Sequence, residues 1–193
     1  MYIFFTILLL CLSLSAVADE RGTARLQRLS RHYASLGGYV LHFGLKTEGG
    51  EQRGEMQVNG NNMYMRIADT EVYLCDSLRY EVNSKSREIV VDRADAYENE
   101  LLAPLQGLSK IGEEFDIVEQ IVEGRVSLRL VPKSQGDVVT ILFTADGEAA
   151  ERIVYGSGEG AVTIEVERAQ KRADGVPKFD ISRYKGYEMI DFR

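Results

Sequence analysis

Hydrophobic and polar residues alternate with a period of two over most of the chain, most densely between residues 54 and 91. Gly54-Glu55-Met56-Gln57-Val58 and Met63-Tyr64-Met65-Arg66-Ile67 predict two strands, joined through the turn residues Asn59-Gly60-Asn61-Asn62. Met63, Met65 and Ile67 fall on one face and Tyr64, Arg66 and Ala68 on the other, so one face is built to be dry. The meander goes on as strands over 72–75, 78–82 and 87–91, with turns at Asp69-Thr70, Asp76-Ser77 and 83–86. Connections this short require antiparallel neighbours.

Upstream the period changes. Asp19-Glu20 suit the start of a helix, and Leu26, Leu29, Tyr33 and Leu36 follow at spacings that put them on one stripe, before Gly37-Gly38 ends it. Arg21, Arg25, Arg28 and Arg31 give this helix a basic face, read as a solvated surface or as a contact for anionic lipid or a membrane partner. A first strand, Tyr39 to Leu45, leads through Gly49-Gly50 into the meander. The alternation breaks between Asp92 and Glu114, where Leu101, Leu102, Leu105 and Leu108 gather around Pro104 and predict one or two short helices. Their leucines need an apolar surface, and the dry face of the sheet offers one. Strands resume over 115–122, 125–131, 137–144, 150–155 and 161–168, for a total of about eleven. A single curved antiparallel sheet, partly closed into a barrel, holds that many strands without a long exposed edge.

Composition changes this picture at three points. Met1 to Ala18 carries no charged side chain, holds an apolar run, and ends in Ala16-Val17-Ala18, which predicts an export signal over 1–18 and one domain over 19–193 with a helical insertion around 92–114. With Cys11 in that segment, Cys75 is the one remaining thiol and lies in an apolar run, so no internal disulfide is expected. Three of the four methionines after the initiator are Met56, Met63 and Met65, flexible and polarisable side chains that suit either a core gap or a variable apolar ligand.

Candidate chemistry is sparse. His32 and His42 have no metal-ligand spacing, and no G-x-S-x-G elbow occurs. The glycines of 156–160 lie between strands and open no helix, so they form a hairpin loop and not a phosphate cradle. Asp92, Asp95, Glu98 and Glu100 lack calcium-loop spacing. The formal charge of −7 gives no general reason to expect nucleic acid. The expectation is therefore a binding protein with no catalytic residues, no metal and no cofactor.

Three local patterns give that expectation a family. Gly54-x-Met56-x-Val58 with Asn61-x-Met63-x-Met65, the strand end Leu130-Val131-Pro132-Lys133 followed by an apolar strand and Asp146-Gly147, and the ending Tyr187-Glu188-Met189-Ile190-Asp191-Phe192-Arg193 resemble the LolA-like periplasmic outer-membrane lipoprotein carriers, particularly their shorter Bacteroidetes-type relatives. The resemblance implies a mainly β fold with an α lid: an incomplete antiparallel barrel of about eleven strands, covered by the N-terminal helix and the short inserted helices. It also implies an apolar cavity for lipoprotein acyl chains in a monomeric periplasmic carrier, with transfer partners at the inner and outer membranes. The lining expected from the strand faces is Leu41, Phe43, Met56, Val58, Met63, Met65, Ile67, Leu74, Val91, Ile141 and Phe143, with Leu101, Leu102 and Leu105 from the lid. The classical carriers have Arg-Pro in the hairpin loop, whereas Asn59-Gly60-Asn61 here has no basic residue. The alternative reading is a scaffold or binding module of an envelope complex whose interior is ordinary core.

Overall fold

The computed structural model describes residues 20–75, 77–94, 114–172 and 174–193. The expected export signal and the lid leucines Leu101, Leu102 and Leu105 lie outside the described residues.

The fold is mainly β. Helix α1 spans residues 20–35. The strands are β1 (Gly38–Thr47), β2 (Gly50–Asn59), β3 (Asn62–Ile67), β4 (Thr70–Cys75), β5 (Leu78–Asn83), β6 (Glu88–Arg93), β7 (Phe115–Val122), β8 (Arg125–Pro132), β9 (Val139–Phe143), β10 (Ala150–Tyr155), β11 (Val162–Arg172) and β12 (Glu188–Asp191). They form an open sheet in the order β12-β6-β5-β4-β3-β2-β1-β11-β10-β9-β8-β7, the incomplete barrel that the alternation predicts. Every strand expected from the sequence is present, and the expected count falls one short. The addition is β12, which pairs in parallel with β6 from Glu188↔Glu88 to Asp191↔Val91. Strand β2 also starts earlier than expected, because Gly50 to Arg53 are exposed and give no apolar signal.

The chain divides into two compact units, Met1–His32 with Pro104–Ala161, and Tyr33–Ala103 with Val162–Arg193. In the first, Ile117, Leu128, Ile141 and Ile153 line up across β7 to β10 on one face and are all buried. Helix α1 lies over that face. Leu26 and Leu29 are buried, and a Cβ placed on Gly22 would stand 2.5 Å from Ile117 Cγ2, so a glycine is needed where helix and strand approach. Arg25 turns inward as well: its Nε donates to Glu119 Oε2 at 2.8 Å and its guanidinium stands 5.5 Å from the Phe143 ring centre. The β7–β8 hairpin closes on Glu123 and Gly124, both with positive φ (55° and 74°), the two-residue turn that matches strand twist.

In the second unit the register sorts the side chains onto two apolar faces. One carries Tyr39, Leu41 and Phe43 of β1, Met56 and Val58 of β2, Met63, Met65 and Ile67 of β3, and Val72 and Leu74 of β4. Gly54 belongs to this face for a steric reason. A Cβ there would stand 2.5 Å from Phe43 Cζ and 2.9 Å from Ile67 Cγ1, so the far end of the Phe43 ring occupies the space over the glycine. Gly54→Ala is expected to cost about 1–3 kcal/mol by overpacking, read as a lower denaturant midpoint with an unchanged m-value.

The opposite face carries Tyr64, Tyr73, Tyr80, Val82, Ile89 and Val91, and the C-terminal segment covers it. Phe179 stacks on Tyr80 with ring centres 4.0 Å apart, Tyr184 stacks on Phe179 at 5.7 Å, and Tyr187 meets Tyr184 edge-on at 5.4 Å. Within this cover Glu71 accepts hydrogen bonds from Tyr64 at 2.8 Å, Tyr73 at 3.1 Å and Tyr184, while Arg183 donates to the Tyr73 hydroxyl at 3.2 Å. Burial pushes the Glu71 carboxyl up, but the three hydroxyls and the Arg183 charge outweigh it and hold the group below its ordinary value of 4.5. Burial and then the bond to Glu71 push the Tyr64 and Tyr184 phenols far above theirs.

A carboxyl depressed in the folded state stabilises the protein above its unfolded pKa, and that contribution is lost as pH falls through the folded value. Glu71→Gln should therefore destabilise by about 1–3 kcal/mol at pH 7, since the amide turns a donor toward hydroxyls that need an acceptor. The gap between variant and parent should narrow as pH falls below about 4.5. Urea midpoints across pH 3 to 7 check both the sign and the window.

Candidate functional site

The face running from β1 to β4 is the candidate site. Its residues are apolar because four successive strands alternate in phase: Leu41 stands opposite Met56, Met56 opposite Met65, and Met65 opposite Val72. Burial is uneven across this face. Leu41 and Met56 are essentially inaccessible and Val72 is 3 % exposed, whereas Met65, Ile67 and Leu74 are only half-buried. The three methionines form a contiguous group, since Met63 pairs with Val58 and Met65 with Met56.

Where burial falls, a cavity opens. It has a volume of about 380 Å³ and is lined by Met65, Ile67 and Val72, with Gln52, Asp69, Thr70, Asn83 and Lys85 around them. That is at the lower end of the range for small-molecule sites, which are mostly apolar with a few polar groups to orient the ligand. Met65 and Val72 come from within β3 and β4 and Ile67 from the end of β3, while Thr70 and Asn83 come from strand ends and Asp69 and Lys85 from turns. The arrangement can take up apolar matter and meet a polar group at the mouth. Among the described residues no cluster of histidine, cysteine, aspartate or glutamate has metal-binding proximity.

The far margin of the face is polar. Strand β5 presents Arg79, Glu81 and Asn83 to the side on which β4 presents Leu74, Val72 and Thr70. Arg79 is 8 % exposed and donates from Nη2 to Glu81 Oε2 at 2.6 Å. The sequence reading missed this ion pair, buried on the Arg79 side only, although Arg79-x-Glu81-x-Asn83 alternates visibly with Leu78, Tyr80 and Val82.

Of the expected lining residues, the second unit brings together Leu41, Phe43, Met56, Val58, Met63, Met65, Ile67 and Leu74 on this face. Val91 requires correction. It stands opposite Tyr80 on the other face of the sheet and belongs to the tyrosine cluster under the C-terminal segment. The apolar set changes sides at β5, so counting every strand's hydrophobic residues toward one interior misassigns β6. Ile141 and Phe143 belong to the first unit, fully buried on the face that α1 covers. Tyr39, opposite Val58 on the candidate face, was not anticipated as lining; its ring meets Tyr33 at 5.3 Å, and burial raises its phenol to about 12.

No family model and no curated protein matches the chain. Among solved structures, an uncharacterized conserved protein from Thermus thermophilus is similar, with a TM-score of 0.56 and 9 % identity over 87 % of this chain and 97 % of that one. Weaker likenesses include the lipoprotein LppX of Mycobacterium tuberculosis (TM-score 0.46, 10 % identity, 81 % of this chain and 98 % of that one). A putative outer membrane lipoprotein-sorting protein domain from Vibrio parahaemolyticus is another (TM-score 0.45, 8 % identity, 86 % and 97 %). The Thermus likeness establishes a shared fold.

Proposed function

We propose that the protein is a carrier that shields lipid acyl chains from water, in particular those of lipoproteins in transit across the periplasm to the outer membrane. The observation that carries this reading is the graded apolar face of β1 to β4, dry at Met56 and opening at Met65, Ile67 and Val72 into the 380 Å³ cavity. The resemblance of the Gly54-to-Met65 hairpin, the Pro132-Lys133 strand end and the chain ending to the LolA-like carriers supports the same cargo. Transfer would proceed by moving methylenes out of water, worth about 0.8 kcal/mol each, with no covalent step. The side chains present suit it, because thioethers adapt to acyl chains of different length and branching.

The competing reading is a scaffold whose interior is filled core. One observation favours it: Tyr39, Leu41, Phe43 and Met56 are buried by the protein's own side chains, each at most 4 % exposed. Native mass spectrometry of protein folded with cell lipid extract separates the two. An adduct that disappears on denaturation and matches an acylated species is expected of a carrier. Apoprotein alone, together with no uptake of a fluorescent fatty-acid probe, would leave the scaffold.

A further inference from the structure

The solvent side of α1 is charged against the trend of the molecule. The chain as a whole carries a formal charge of −7, yet residues 20–35 hold four arginines and a single acid, Glu20. Arg25 is consumed by Glu119 and by the Phe143 ring. Arg21, Arg28 and Arg31 point away from the buried stripe of Leu26, Leu29 and Tyr33, and spacings of seven and three put them in one exposed row with Ala24. Arg31 donates from Nε to the carbonyl of Gln27, and none of the three has an acidic partner among the described residues.

The first unit also exposes apolar side chains on β7, the strand that α1 meets. Gly22 abuts Ile117 and Arg25 reaches Glu119, so α1 and β7 run side by side in the same direction. Ile121, two residues beyond Glu119 on the face of β7 that α1 meets, is 67 % exposed, while Val118 and Val122 lie on the other face of that strand. Charge and apolar exposure on neighbouring elements match an interfacial surface, in which arginines meet lipid phosphates and an aliphatic side chain enters the headgroup layer. The acids against these elements are Glu119, spent on Arg25, Glu123 and Asp116, which face Arg125 and Lys133, and Asp146 of the turn after β9, which lies by His32 and accepts from the Thr144 hydroxyl and the Glu148 amide.

We propose that Arg21, Arg28 and Arg31, with Ile121, dock the protein on anionic phospholipid bilayers. Docking of this kind needs no acyl chain in the β1–β4 face, so it stands or falls apart from the carrier reading. The main alternative to a bilayer, an acidic protein, would not call for an exposed isoleucine on the strand that α1 meets.

The test is flotation of the protein, purified as the cell processes it, with vesicles of phosphatidylcholine alone or with about a third phosphatidylglycerol. Binding is expected only to the anionic vesicles and should be lost in about 0.5 M salt, where the screening length falls to roughly 4 Å. R21Q/R28Q/R31Q should bind them about 100-fold more weakly, at about five-fold per arginine. Ile121→Ser should weaken binding several-fold while leaving the salt dependence in place. Circular dichroism shows whether each variant is folded, and all four positions are exposed. Equal binding to neutral vesicles, or a triple variant that binds like the parent, would overturn the proposal. So would retention on immobilised polyglutamate without vesicle binding, which would put an acidic protein in place of the bilayer.

Discussion

Removing residues 176–193 should abolish cooperative folding or lower stability by roughly 5 kcal/mol or more, an amount comparable with the whole stability of an ordinary domain. The segment is the only cover, among the described residues, of the aromatic face of β3 to β6: Phe179 and Tyr184 pack on Tyr80 and Tyr73, and Tyr184 supplies one of three hydroxyls to Glu71. Without it, Tyr73, Val82, Ile89 and Val91, each at most 3 % exposed in the intact protein, would meet water. The edge of β6 would also lose its partner, since Glu188 and Phe192 donate backbone hydrogen bonds to Arg87 and Val91 at 2.9 Å. Two milder variants grade the effect. Phe179→Ala should cost about 2–3 kcal/mol, less than a fully buried phenylalanine because Phe179 is half-buried. Tyr184→Phe should cost about 1 kcal/mol, the share of a hydrogen bond to a charged acceptor that Tyr64 and Tyr73 still serve. Urea denaturation of the three proteins checks the order. A truncated chain that melts like the parent would make the segment an ornament.

That segment is also where the sequence was least legible, and the reason is physical. Alternation announces a strand only when one face is buried and the other wet over several residues. Strand β12 is four residues long, exposed over most of its length, and gains its place from pairing with β6 rather than from its own pattern. The residues that pin the tail, Phe179, Tyr184 and Tyr187, are spaced like neither a helix nor a strand, because they belong to turns and a single 3-10 turn at Ile181–Arg183. By contrast β1 to β11 were all legible from alternation, although β2 and β11 run longer than their apolar pattern, and Ala68, Ser77, Arg87 and Glu123 take the positive φ that glycine or asparagine would have announced.

The candidate face was legible in part for a related reason. Once the phase of β3 was fixed by Met63, Met65 and Ile67, antiparallel pairing carried it to β1, β2 and β4. It failed at β5, where Arg79 and Glu81 occupy the inward phase and Tyr80 and Val82 the outward one, and the error passed to Val91. A polar pair in phase with an apolar row marks the end of that row. Glu71 among three tyrosines was not readable at all, because Tyr64 and Tyr73 come from paired strands whereas Tyr184 is more than a hundred positions away.

Met65→Glu should lower the affinity for a fluorescent fatty acid by about 100-fold or more, because a carboxylate would stand where the acyl chain must lie and would have to be desolvated or neutralised to admit it. Met65 is the position for this test because it lies at the boundary of the face: it lines the cavity, touches the buried row through Met56 and Val72, and is itself only half-buried. A charge there can stay solvated in the empty protein, so stability should fall far less than it would at Met56, which is fully enclosed. Met65→Leu keeps the volume and the apolar character and should bind within a few-fold of the parent. Arg66→Gln changes the neighbouring residue, whose exposed side chain is on the other face, and should leave the affinity unchanged. The pattern across one strand, loss at 65 and none at 66, would place the acyl chain on the methionine face. Equal affinities at both positions would put it elsewhere, however dry that face is.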